Sequence, residues 1–111
     1  MRLEPSEAVS LLKKYSEDGT LVQGFFSSKS GKFEASVTGK LVYSEPWVFV
    51  KPVDSDSQVG FLVHPGLVFV YGDSREAPPH LRSSAYRRYE SVLSIADSET
   101  GEVFSIFEIK L

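Results

Sequence analysis

Residues 33–43 carry a strict alternation of apolar and polar side chains, and this pattern constrains the fold more than any other. The apolar positions of the alternation are occupied by Phe33, Ala35, Val37, Gly39, Leu41 and Tyr43. A period of two predicts a long strand with one face buried and the other in water. Gly39 lies in its middle, where a strand can bend sharply. Long strands with a central glycine are typical of small, highly curved barrels.

A short helix is predicted before this strand, within residues 1–18. Pro5 suits the first helical position, and Glu7 places negative charge near the helix start, where it is favourable. Apolar residues recur at spacings of three and four, namely Ala8, Leu11, Leu12 and Tyr15. Gly19 can adopt the left-handed conformation that ends many helices. About three turns are marginal in isolation, so we expect the helix to dock on the rest of the domain.

The remainder of the chain is predicted to form short strands separated by turns. Further strands are expected at residues 20–27, 46–53, 59–63 and 67–71. Residues 92–96 and 103–111 flank a turn-forming sequence at 97–101, which predicts a C-terminal hairpin that is part of the fold. We expect the strand aromatics to lie mostly in the core; they are Phe25, Phe26, Phe33, Trp47, Phe49, Phe61 and Phe69.

Together these elements predict a single domain with a mainly β (α+β) fold. The chain has 111 residues, a usual size for one domain and too few for two ordinary ones. We expect an N-terminal helix at 1–18, and then a small, strongly bent antiparallel β-barrel of about five strands at 20–73. An arginine-rich connection at 74–90 and a C-terminal β-hairpin at 91–111 complete the predicted domain.

Composition excludes several classes of chemistry. The chain contains no cysteine, so disulfides, thiolate metal sites and thiol nucleophiles are absent. Its net charge of −3 is unlike the positive excess usual in nucleic-acid-binding domains. No apolar run approaches the ~20 residues of a membrane helix, and residues 1–10 do not resemble a secretory signal. We therefore expect a cytoplasmic protein with no membrane partner.

A helix followed by bent strands, with a long second strand, resembles the Sm-like fold among the SH3-like small barrels. The resemblance covers residues 6–73 and is carried by Gly19, Gly31, Gly39-Lys40-Leu41 and the sequence at 68–73. It implies a shared small-barrel fold. The family reads RNA with an Asp, an Asn and a basic residue, and here Glu45, Phe49 and Tyr71 stand at or near those positions. The resemblance therefore does not carry over the family's uridine pocket.

No motif in the sequence demands catalysis, a metal or a cofactor. A zinc site needs three or four suitably spaced ligands, and His64 and His80 have no such neighbours in sequence. Asp54 and Asp56 could act as an acid and a base, but Asp-Ser-Asp-Ser between strands is typical of a solvated turn. We therefore predict no cofactor and no metal, and an enzyme only if its site is assembled from distant residues.

The most unusual segment is the arginine-rich connection. Its candidate binding residues are Arg75, His80, Arg82, Tyr86, Arg87, Arg88 and Tyr89. Arginine with interleaved aromatics can contact phosphates and stack on bases. The same residue types are enriched at protein–protein hot spots. The third interpretation is a surface connection whose arginines pair with nearby acidic residues.

The sequence favours a non-catalytic binding or assembly domain that acts through self-association and protein contacts. Small barrels leave open strand edges, and an open edge can pair with a neighbouring chain, so we expect a homo-oligomer. Weak RNA binding by an Sm-like protein is the alternative hypothesis. An enzyme whose site is not visible in the sequence is the third.

Overall fold

The computed structural model describes residues 1–29, 34–52, 59–64, 66–73 and 89–109. In this part of the chain there are one helix and eight strands. The helix is α1 (Pro5–Asp18), and the strands are β1 (Arg2–Leu3), β2 (Leu21–Ser27), β3 (Glu34–Ser44), β4 (Trp47–Pro52), β5 (Val59–Leu62), β6 (Leu67–Asp73), β7 (Tyr89–Asp97) and β8 (Val103–Ile109).

The strands form one antiparallel sheet in the order β1-β6-β7-β8-β2-β3-β4-β5. The predicted mainly β fold is confirmed. The predicted C-terminal hairpin, β7–β8, is also confirmed, and it lies in the middle of the sheet, between β6 and β2. The sheet is not closed in the described residues, because β1 and β5 are its two ends. A closed barrel formed by residues 20–73 is therefore not confirmed.

Helix α1 begins and ends where the sequence predicts. Pro5 opens the helix, and the Glu7 carboxylate accepts a hydrogen bond from the backbone N–H of Glu4 at 3.0 Å. Gly19 ends it in the left-handed conformation, with φ of 63°. The predicted apolar stripe faces the sheet, and its buried members are Ala8, Leu12 and Tyr15. Because a helix of this length is marginal alone, this packing stabilises it.

The main core lies between α1 and one face of the curled sheet. It contains buried side chains from the helix and from all eight strands, including Leu3, Leu12, Val22, Leu41, Val48, Val50, Phe61, Phe69, Leu93, Ile95, Phe104 and Ile106. Each such side chain contributes roughly 1.5–3 kcal/mol on burial. In β3 the predicted alternation is confirmed, because Leu41 is buried and Lys40 is exposed. Val37 packs against the core but is only partly buried.

A second, smaller cluster covers the opposite face of the central strands. Successive residues of a strand point to opposite faces, so Phe107 lies on the other side of the sheet from Ile106. Phe107 packs with Tyr89 and Val92, and partly buried Phe25 meets its ring edge-on at a centroid distance of 5.2 Å. The central hairpin is thus packed on both faces.

Gly39 is required by a close approach of two backbones. A side-chain Cβ at this position would overlap the carbonyl oxygen of Lys51 on the neighbouring strand β4. The long strand β3 is therefore drawn tightly against β4 at the glycine that the sequence singles out. In the described residues, no helix has the length and apolar character needed to span a membrane.

Candidate protein-binding edge

Four apolar side chains form a patch on the outer face of β3, β4 and β5. The register places Val42 opposite Phe49 and Ser44 opposite Trp47. On the other side of β4, Leu62 lies opposite Trp47 and Gly60 lies opposite Phe49. We call Val42, Trp47, Phe49 and Leu62 the outer patch. The residues between them point inward, since Val48 and Val50 are fully buried.

The outer patch leaves large apolar side chains in water. Trp47 and Leu62 are each 43% exposed, and Val42 is 38% exposed. The rings of Trp47 and Phe49 stack at a centroid distance of 6.1 Å and an interplanar angle of 15°. Single exposed apolar residues are ordinary on protein surfaces, whereas contiguous ones mark contact sites. The register makes these four contiguous.

The patch ends at a strand whose outward backbone groups have no strand beside them in the described residues. The backbone N–H of Val63 donates to the carbonyl of Pro46 at 2.8 Å, so Val63 faces β4. Hydrogen-bonding direction alternates along an antiparallel strand, and Phe61 therefore also faces β4. Gly60 and Leu62 direct their N–H and C=O groups to the other side. They present a short, uncharged pairing edge.

The opposite end of the sheet is built differently. Strand β1 has only two residues, and one of them is Arg2. Glu4 and the helix-opening Pro5 follow directly. Short strands, charges and prolines are the features by which proteins prevent unwanted pairing at an edge. Among the described residues β5 is the less protected edge, because it is longer than β1 and its residues, Val59, Gly60, Phe61 and Leu62, include no charge and no proline.

An open cleft of about 320 Å³ runs along this edge, between β5 and the β7–β8 turn. Gly60 and Leu62 contribute the edge itself, and the aromatic rings of Phe26, Trp47 and Phe61 line the cleft. The core holds Phe61 in place, because its ring stacks on the buried ring of Phe104 at a centroid distance of 5.8 Å. The apolar part of the cleft therefore rests on the main core.

The polar part of the cleft comes from His64, Asp97 and Glu102. The backbone N–H groups of Glu99 and Thr100 donate to Oδ1 of Asp97 at 2.9 and 3.3 Å. These two bonds, and then the nearby His64, hold the pKa of the Asp97 carboxyl below its ordinary value. Asp97 is consequently a carboxylate at neutral pH, and this end of the cleft is acidic.

The two ring nitrogens of His64 face Gly66 and Asp97. The backbone N–H of Gly66 donates to Nδ1 at 3.2 Å, so the neutral ring carries its proton on Nε2. Nε2 lies 3.6 Å from Oδ2 of Asp97. Within the described residues, no group of three or more His, Cys, Asp or Glu side chains could hold a metal ion.

Six of the seven residues predicted to bind lie outside the described residues: Arg75, His80, Arg82, Tyr86, Arg87 and Arg88. The binding role of the arginine-rich connection stays a prediction, as does RNA binding. Tyr89 is described, and it is only 2% exposed. Its hydroxyl donates to Oε1 of Gln23, and its ring packs on Phe107. Tyr89 thus contributes to the second cluster of the core.

The exposure of Trp47 was not predicted, because we expected the strand aromatics to lie mostly in the core. Phe61 and Phe69 are buried as expected. The sequence of strand β4 lacks the alternation that indicates a buried face, since residues 47–50 are apolar at every position. Without alternation, the sequence does not indicate which side chains of this strand face water. Only the register with β5 identifies the exposed face.

The chain matches no protein-family model, and it has no match among curated proteins or solved structures.

Proposed function

We propose that the protein is a non-catalytic binding and assembly domain that acts through self-association and protein contacts, and that β5 is its contact edge. The observation that carries this proposal is the coincidence of the outer patch with the less protected end of the sheet. Apolar area supplies affinity, and the outward backbone groups of Gly60 and Leu62 supply direction. Both are present at one place on the molecule.

A second copy fits this edge by antiparallel pairing about a two-fold axis at Phe61. Such an interface is self-complementary, so Gly60 of each copy faces Leu62 of the other. A Cβ at Gly60 would lie 2.6 Å from the ring of its own neighbour, Phe49. The ring therefore covers the glycine and offers an apolar surface to the incoming Leu62. The seam itself carries no charge, which avoids repulsion between identical chains.

The test is the solution mass of the wild type and of two matched variants, measured by light scattering over a wide concentration range. Leu62→Lys places a charge on the pairing edge and should give a monomer. Val70→Lys is the control, because Val70 is 38% exposed on β6, away from the patch. It should keep the wild-type mass. A wild type that is monomeric at all concentrations would overturn the proposed self-association, whereas a Leu62→Lys variant that associates normally would overturn β5 as the contact edge.

A further inference from the structure

The cleft beside β5 combines three chemical features that suit one kind of ligand. It has a strand edge for backbone pairing, aromatic walls for apolar side chains, and carboxylates for positive charge. We propose that this cleft binds an extended, basic segment of a protein partner, which adds to the sheet beside β5. The inference rests on the proposed function and deepens it, since it names the class of partner at the same edge.

Backbone pairing sets the orientation of the bound segment. Gly60 and Leu62 each offer one N–H and one C=O group, which match two alternate residues of an added strand. Side chains of that strand then point alternately to the two faces of the sheet. On the outer face they meet Trp47 and Leu62. On the inner face they enter the part of the cleft lined by Phe26 and Phe61.

Charge selects a basic segment. Asp97 and Glu102 both line the cleft, and the only other titratable side chain that lines it among the described residues is His64. Lys29 lines a neighbouring pocket with Phe26 and Glu102, and does not line this cleft. A lysine or arginine of the segment can therefore approach two carboxylates at once. An arginine can also stack on the exposed ring of Trp47.

The charge of the cleft also favours a basic segment over a second copy of the chain as the bound partner. In a second copy, the strand β5 itself (Val59–Leu62) contains no basic residue. This strand would pair with the edge and supply no cation to the carboxylates of Asp97 and Glu102. A basic segment satisfies the edge and the carboxylates together, so electrostatic complementarity favours it for this cleft.

Trp47 provides the readout, because it is the only tryptophan among the chain's 111 residues and it lines the cleft. Its fluorescence should change saturably when a blocked synthetic peptide of alternating valine and lysine is added. A peptide of alternating valine and glutamate should give no saturable change. The affinity for the basic peptide should fall as salt is raised from about 0.05 to 0.5 M, because the contact is electrostatic and partly exposed.

Two carboxylate variants locate the binding. Glu102→Gln removes a carboxylate that lines the cleft and should weaken peptide binding about two- to fivefold. Glu99→Gln is the matched control, because Glu99 lies in the same turn, is exposed and does not line the cleft. It should bind as the wild type does. Two further peptides carry N-methyl groups on every second amide, one at the odd positions and one at the even positions. Only one of the two should lose binding, since only every second N–H group of an added strand faces β5.

The inference is overturned if the valine–lysine peptide gives no saturable change, if the acidic peptide binds equally well, or if Glu102→Gln and Glu99→Gln behave alike. The solution mass measured without peptide distinguishes failure of this inference from failure of the proposed self-association. A wild type that self-associates but does not bind the peptide overturns only the inference. A wild type that binds the peptide but stays monomeric overturns only self-association. If both hold, the peptide should convert the oligomer to monomer, because both partners use β5.

Discussion

The hydroxyl oxygens of Tyr15 and Ser91 lie 3.2 Å apart and join helix α1 to strand β7 across 76 positions of the chain. The hydroxyl of Ser91 donates in turn to Oε2 of Glu108 at 3.0 Å. A serine hydroxyl has one proton, so Tyr15 is the donor to Ser91. The result is a directed chain of hydrogen bonds from the helix to the central hairpin.

We expect Tyr15→Phe to lower the free energy of unfolding by about 1 kcal/mol at pH 7, the typical net value of one hydrogen bond. Urea titrations of both proteins measure this difference. Ser91 keeps its bond to Glu108 in the variant, so the Ser91 hydroxyl is not left without an acceptor. A variant as stable as the wild type would show that the contact does not stabilise the docking of α1.

The same pair predicts a dependence on high pH. Burial raises the pKa of Tyr15 well above its ordinary value of 10, and the nearby Tyr71 and Glu108 act in the same direction. The unfolded chain therefore loses the Tyr15 proton near pH 10 while the folded chain keeps it. Stability is fully present below pH 10 and falls above it, by at most about 1.4 kcal/mol per pH unit for this group.

Comparing Tyr15→Phe with the wild type at each pH measures the contribution of the Tyr15 hydroxyl. The stability advantage of the wild type should shrink and then reverse between about pH 10 and 11. Urea titrations at closely spaced pH values provide the measurement. Parallel stability curves for the two proteins over this range would contradict the raised pKa.

The alternation in β3 gives a prediction on adjacent residues. Leu41 is 1% exposed in the main core, so Leu41→Ala should cost about 2–5 kcal/mol of unfolding free energy. Lys40 is exposed on the opposite face, and Lys40→Ala should change stability by no more than about 0.5 kcal/mol. Thermal or urea unfolding of both variants makes the comparison. Equal effects would mean that β3 does not have one buried face.

Asp97 gives a prediction at low pH. Its carboxylate accepts the N–H groups of Glu99 and Thr100, and these bonds are lost on unfolding. Because the folded pKa is lowered from 3.8, the stabilisation is present above that pH and lost as the pH falls below it. Asp97→Ala should therefore be less stable than the wild type at pH 5–7, with a difference that narrows below about pH 4.

Glu99→Ala is the matched control for this titration. The Glu99 backbone N–H still donates to Asp97 in that variant, whereas the exposed Glu99 side chain is removed. It should follow the wild-type curve through acid unfolding. A difference between Asp97→Ala and the wild type that stays constant down to pH 2 would show that the carboxylate charge does not stabilise the turn.

The position of β8 predicts the effect of removing it. β8 pairs with β2 on one side and β7 on the other, so in a chain ending at Ser98 no strand pairing of the described residues joins the two parts of the sheet. We expect that chain to lose cooperative urea unfolding. A peptide of residues 99–109 added in trans should restore part of it. A truncated chain that unfolds cooperatively without the peptide would contradict the observed sheet order.

Local patterns were sufficient for the elements but not for their arrangement. The caps of α1, the alternation of β3 and the turn of the hairpin depend on neighbours within a few residues, and all were predictable. The pairing of Phe26 with Phe104 joins strands far apart in sequence, and no periodicity specifies it. The cleft could not be predicted from the sequence either, because its lining residues come from separate parts of the sheet, as Phe26, Trp47, Asp97 and Glu102 do. Only their three-dimensional order brings them together.

The central position of the β7–β8 hairpin also constrains how the chain folds during synthesis. Strands β2 to β4 can pair by successive hairpins as they leave the ribosome. Among the described strands, no pairing connects them to β6 until Ile109 has emerged, since β8 bridges the two parts. Pairings of such high sequence separation form slowly. Until then the nascent chain exposes core residues such as Val48 and Phe69, which are the kind of surface that chaperones recognise.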